Sequence, residues 1–227
     1  MIFGALSRAL GQLPDPALRA LLLKSLGLTI AVFAGVIVTM GYLIALIGPV
    51  TVPVVGFTVD PGAGAGILTG LALLPLSFIL MIPVATIVIG FFLDDIADAV
   101  EDVHYSHLPR ANRLSMSDAL VDALRFTGVV IGANIVALFL YILFLPLAPI
   151  IFWAMNGYLL GREYFQLVAA RRMPLKEAAA LRKRHMPLIW GAGVLIAMPL
   201  AIPIAGLIVP LVGVAMFTHI FHGLSGR

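Results

Sequence analysis

The stretch Thr127–Gly161, TGVVIGANIVALFLYILFLPLAPIIFWAMNGYLLG, carries no charged side chain and is interrupted near its middle by Pro146 and Pro149. Its roughly 35 residues would make about 52 Å of continuous helix at 1.5 Å per residue. Proline lacks the backbone N–H that an interior helical position needs, so it bends or ends a helix. Folded back at its prolines, each arm reaches about 26 Å, slightly short of a hydrocarbon core about 30 Å thick. The block reads as a helical hairpin that enters and leaves on one side and crosses the membrane fully or partway. A second block of the same design runs from Pro187 to about Phe221 and is broken by Pro199, Pro203 and Pro210.

Working outward, two further apolar runs precede these hairpins. Leu26 to Ile47 is close to the roughly 20 residues that span a bilayer as a helix, and Gly48-Pro49 and Pro53 end it. A Gly- and Pro-rich loop, Thr51 to Gly66, holds one charge, Asp60. The second run, about Gly66 to Leu93, contains Pro75 and Pro83. It is expected to continue into an acidic amphipathic helix, Asp94–Tyr105, where Ile96, Val100 and Val103 recur opposite Asp95, Asp98 and Asp102. Ser115 and Asp118 form an N-cap pattern. The apolar face of Met116, Ala119, Leu120, Ala123 and Leu124 is expected to lie on the membrane surface. Pro174 suits the first turn of a short basic helix. The chain is thus expected to be one all-α integral membrane domain over residues 1–227, with two long transmembrane helices, two proline-broken hairpins and short amphipathic cytoplasmic helices.

Composition agrees. Hydrophobic residues make up 62% of the chain and charged residues 11%, with a mean hydropathy of +1.12; a soluble domain is about half apolar and a quarter charged. There is no cysteine, which removes disulfides, thiolate metal sites and a cysteine nucleophile from consideration. The basic start is followed by a long apolar stretch without a small-residue cleavage site, so the first span is expected to be retained.

The charges are distributed asymmetrically. Arg8, Arg19 and Lys24 precede the first span; Arg110, Arg113 and Arg125 follow the second. Arg162, Arg171, Arg172, Lys176, Arg182, Lys183 and Arg184 separate the hairpins, and Arg227 closes the chain. The Thr51–Gly66 loop has neither Lys nor Arg. All basic clusters share one side if both termini are cytoplasmic, in keeping with the excess of Lys and Arg in cytoplasmic loops.

Three segments, Pro16-Ala-Leu-Arg19, Asp94-Asp-Ile-Ala-Asp-Ala-Val-Glu101 and Asn156-Gly-Tyr-Leu-Leu-Gly-Arg-Glu-Tyr-Phe165, together with the element order, resemble the CysZ-type sulfate permeases, the bacterial branch of the etoposide-induced-protein domain family. Family members usually show Gly-Leu-Arg where this chain has Ala17-Leu18-Arg19. The resemblance implies a homo-oligomeric permease of the bacterial inner membrane that admits sulfate for cysteine synthesis, without a nucleotide-binding domain. The chain itself has no Gly-x-x-x-x-Gly-Lys-Ser/Thr phosphate loop, and no cofactor is implied.

Several residues stand out as candidates. A helix opening at Pro14–Arg19 would point free N–H groups and half a positive charge at an anion, so Ala17, Leu18 and Arg19 form a candidate anion site, with the Arg19 fork as added donor. The plainer alternative is a basic flank touching lipid phosphates. Asn156, Arg162 and Glu163, on or beside a membrane segment, are pathway or gating candidates because polar groups there need partners or water; alternatively Arg162 and Glu163 only mark a cytoplasmic end. Gly157 with Gly161, and Gly128 with Gly132, have the spacing of close helix packing, whereas the Gly62–Gly66 run reads as an external turn. His104 with His107, and His219 with His222, read as interfacial histidines, and metal binding is not expected. The carboxylates from Asp94 to Asp102 are expected to pair with the basic Arg171–Arg184 stretch. Neither a catalytic constellation nor a nucleic-acid surface is present in the pattern. Two functions remain: an oxyanion permease, or a scaffold whose basic stretch holds anionic membrane lipid.

Overall fold

A computed structural model of the chain describes residues 1–46, 50–52, 57–59, 88, 90–112, 114–202 and 205–226. It divides into two compact units, one of residues 1–22 and 92–227 and one of residues 23–91. Eight helices are found among the described residues: α1 (Ile2–Gly11), α2 (Pro16–Leu46), α3 (Leu93–His104), α4 (Met116–Leu143), α5 (Ala148–Ala170), α6 (Leu175–Arg184), α7 (Met186–Ala197) and α8 (Ala205–Ser225). Pro75, Pro83 and most of the second expected span lie outside the described residues. In the loop after α2 a two-stranded antiparallel ribbon, β1 (Val50–Val52) and β2 (Phe57–Val59), pairs Thr51 with Thr58. The architecture is that of an all-α membrane protein, with three described helical segments long and apolar enough to cross a bilayer: Pro16–Thr39, Ser117–Leu143 and Ile208–Ser225.

Both hairpins turn at expected prolines, Pro146 and Pro199, whereas Pro210, expected to break the second block, lies inside α8 without ending it, and Pro203 lies outside the described residues. Pro146 sits in a 3-10 turn, Leu145–Leu147, between α4 and α5, and Pro199 in another, Met198–Ala201, between α7 and α8. Pro149, Pro174 and Pro187 stand at helix starts, where a missing N–H costs nothing. The arms are unequal, however. At 1.5 Å per residue, α4 is about 42 Å long and α5 about 34 Å, whereas α7 is about 18 Å and α8 about 31 Å. Only α7 is clearly too short to cross. The expected surface helix at Ser115–Leu124 is not separate: α4 runs unbroken from Met116 to Leu143, because no proline or glycine separates Leu124 from Thr127. The Ser115 N-cap is present, its hydroxyl accepting the Asp118 N–H at 3.2 Å. Phe91 and Phe92 form a turn before α3, and the basic helix α6 starts after Pro174.

The core of the larger unit lies around α8. Val214, Ala215, Met216, Phe217, Ile220 and Phe221 are buried against α1, α3 and α5. Of the most apolar window of α8, 72% is buried, against 6% for α4. α8 is therefore shielded from lipid by its own chain, whereas α4 offers Ile131, Ile135, Leu138, Phe139 and Ile142 outward.

The tightest contact is between α5 and α7. A Cβ on Gly193 would fall on the Gly157 carbonyl oxygen, and one on Gly161 would meet the Ile189 carbonyl oxygen at 2.6 Å. Gly157 and Gly161 thus serve close packing, whereas Gly128 and Gly132 have nothing within 4 Å. Gly193→Ala is expected to force α5 and α7 apart and to cost about 1–3 kcal/mol, the range for an overpacked core. A thermal-unfolding scan checks this, with Gly132→Ala as a control that should not destabilise.

Candidate functional site

Three polar regions of the larger unit merit description. The first is the start of α2. Pro16 occupies the opening position, and the Asp15 carboxylate accepts the Ala17 N–H at 2.8 Å. Leu18 is fully buried and pins this turn to the core. Ala17 and Arg19 are exposed, and among the described residues no carboxylate pairs with the Arg19 guanidinium. The site is a free cation beside a helix start, one of whose donors the protein's own carboxylate already engages.

The second region surrounds Arg162 and Glu163. α5 continues two turns past them to Ala170, so they lie within a helix and not at its end. Arg162 is buried, with its guanidinium carbon 5.0 Å from the centre of the Phe126 ring. Both residues line a cavity of about 390 Å³ together with Asp94, Asp122, Phe126 and Gln166. Arg182 of α6 donates to Gln166 Oε1 at 3.4 Å; burial and then the nearby Arg162 charge push its guanidinium down from the usual range. Asn156 does not line this cavity. Its amide donates to the Phe152 carbonyl of its own helix at 2.8 Å.

The third region joins α3, α8 and the end of α5. Arg171 reaches Asp94 at 3.6 Å, Asp98, and Glu101 at 3.8 Å. Arg172 forms a two-pronged bond to Glu101, Nε to Oε1 at 3.1 Å and Nη2 to Oε2 at 2.6 Å. His222 Nε2 lies 3.0 Å from Glu101 Oε1, and the Tyr105 hydroxyl lies 3.0 Å from His219 Nδ1. The Tyr105 ring stacks on His222, with centroids 3.9 Å apart. Of the Arg171–Arg184 stretch expected to pair with the acidic helix, Arg171 and Arg172 do so within one chain. The histidines' part in it was not foreseen: His219 and His222 lie one turn apart in an apolar helix, and nothing local announces that α3 packs across that face. Glu101 is buried, which opposes its charge. The hydrogen bonds from His222 and Arg172 and the charges of Arg171 and Arg172 outweigh that effect and hold its carboxyl down at about 2. Burial, with a smaller contribution from Glu101, pushes the Tyr105 hydroxyl up.

Residues 5–210 match the family described as Sulfate transporter CysZ/Etoposide-induced protein 2.4. The chain belongs to this family. The CysZ/etoposide-induced family is a transporter family, and the apolar helices mark this member as a membrane protein. A search of curated proteins finds no match to the chain. Of the segments that carry the resemblance to CysZ proteins, Pro16–Arg19 opens α2, Asp94–Glu101 supplies the ion-pair network, and Asn156–Phe165 supplies both the glycine contact and the Arg162 cavity.

Proposed function

We propose that this protein is a sulfate permease, working as a single membrane domain per subunit and a homo-oligomer in the bacterial inner membrane, with both termini cytoplasmic. It would supply sulfate to the cytoplasm for cysteine synthesis. The observation that carries the reading, beyond the family match, is the exposed Arg19 at the start of α2, next to the buried Leu18 and without an ion pair among the described residues. A guanidinium fork beside a helix N-terminus has the charge and donor groups for a tetrahedral oxyanion. Arg162 and Glu163, lining one cavity, are the pathway candidates that share a space; Asn156 stands two turns before Glu163 on the same helix. The basic clusters on one side support the topology, and the bare surface of α4 supports contact with further subunits. The rival reading, a lipid-organising scaffold, predicts no anion flux through purified protein.

Asp15 sharpens the test. Its carboxylate holds the Ala17 N–H, so an arriving sulfate meets a like charge at the same helix start. Asp15→Asn keeps a good cap and removes that charge. At about 4 Å in water-like surroundings two unit charges interact by about 1 kcal/mol, so sulfate should bind about fivefold tighter. Calorimetric titration of the purified variant with sulfate measures this; unchanged or weaker binding would remove the α2 start from the anion path.

A further inference from the structure

An apolar groove of about 540 Å³ runs between α4 and α5, with Met186 and Trp190 of α7 at its side. Its α4 wall extends from Val129 to Leu140, about 16 Å at 1.5 Å per residue and close to half of a hydrocarbon core about 30 Å thick. That is the depth of one leaflet. Gly132 lines the groove and has nothing within 4 Å of its missing Cβ, so no described side chain fills the space there. A slot of this depth, walled by apolar side chains, suits a single acyl chain.

One end of the groove is charged. Tyr158 and Met186 line it, and Arg182, four residues before Met186, has the neutral Gln166 as its hydrogen-bond partner among the described residues. Lys183 and Arg184 follow, both exposed, and among the described residues no carboxylate lies within ion-pair distance of these three. Asp122, whose charge acts on Arg182, lines the neighbouring cavity with Arg162 and Glu163. We propose that the groove is a seat for an anionic phospholipid, with one acyl chain between α4 and α5 and the phosphate on Arg182, Lys183 and Arg184. Three cations beside an apolar slot of leaflet depth match that molecule in both charge and shape.

Trp190 makes the seat observable, since the chain has two tryptophans and Trp153→Phe leaves Trp190 as the sole indole. The full chain carrying this change is placed in phosphatidylcholine vesicles doped with acyl-brominated phosphatidylglycerol or acyl-brominated phosphatidylcholine, and quenching is followed. The anionic lipid is expected to reach half-maximal quenching at a mole fraction at least threefold lower. Gly132→Leu, which fills the groove, and Arg182→Gln, which removes the central cation, should each abolish that preference. The proposal is overturned by equal quenching from the two lipids, or by a preference that survives both substitutions. A smaller particle for Gly132→Leu would assign the groove to a second copy of the chain. Loss of the preference in inorganic phosphate at constant ionic strength would assign the cations to a free anion.

Discussion

Replacing Glu101 by Gln is expected to destabilise the protein by about 3–5 kcal/mol, the usual consequence of removing one partner from a buried charge cluster. Arg171 and Arg172 are almost fully buried, their side chains 1% and 7% exposed; Arg172 depends on this carboxylate, while Arg171 shares it with Asp94 and Asp98. Without it Arg172 loses its two-pronged partner and His222 its contact, and desolvated cations are left to repel one another. The same geometry fixes the acid response. Glu101 titrates at about 2 when folded, against 4.5 ordinarily, so the unfolded chain takes up the proton first as pH falls. The stabilisation is complete above about pH 4.5 and is lost as pH drops toward 2. Thermal unfolding of the detergent-solubilised protein between pH 7 and pH 3 should show a steep loss for wild type and a shallower one for Glu101→Gln. Parallel curves would mean that the cluster is not formed.

Arg19→Ala is expected to weaken sulfate binding while leaving thermal stability and particle size unchanged. The loss should be about 1.5–3 kcal/mol, the worth of a hydrogen bond to a charged group, or roughly tenfold to over a hundredfold in affinity. Arg19→Lys should recover part of it, because an ammonium restores the charge without the planar fork. Because Arg19 is exposed and makes no described ion pair, folding has nothing to lose there, and the binding change can be read directly. Titrations of wild type, Arg19→Ala and Arg19→Lys with sulfate decide the matter. A residue that only flanks the membrane would leave all three curves superimposed.

The membrane class, the two hairpins and their turning points were legible because proline interrupts apolar sequence: Pro146 and Pro199 stand in the turns they announced, although Pro210 is carried inside α8 without ending it. The acidic and basic stretches were legible as partners by charge alone. Helix lengths were not. Polar residues at Ser117, Asp118 and Asp122 marked an apparent boundary before Thr127, but charge on one face does not stop a helix, and α4 passes through it. Likewise Arg162 and Glu163 looked like a helix end although α5 continues to Ala170. At the candidate anion site the sequence showed a helix start and an arginine; that Asp15 folds back onto the Ala17 N–H depends on a side-chain rotamer that spacing does not specify. The His222–Glu101 contact joins residues 121 positions apart and follows only from the packing of α3 on α8.

The central claim, that this chain moves sulfate, is tested most directly by uptake of radiolabelled sulfate into vesicles holding the purified wild-type protein, beside protein-free vesicles and vesicles with Arg19→Ala. The account predicts protein-dependent uptake without ATP, competed by unlabelled sulfate more strongly than by chloride or phosphate, and reduced at least tenfold at subsaturating sulfate in Arg19→Ala. Uptake no faster than in protein-free vesicles, from protein verified as folded and inserted, would contradict it.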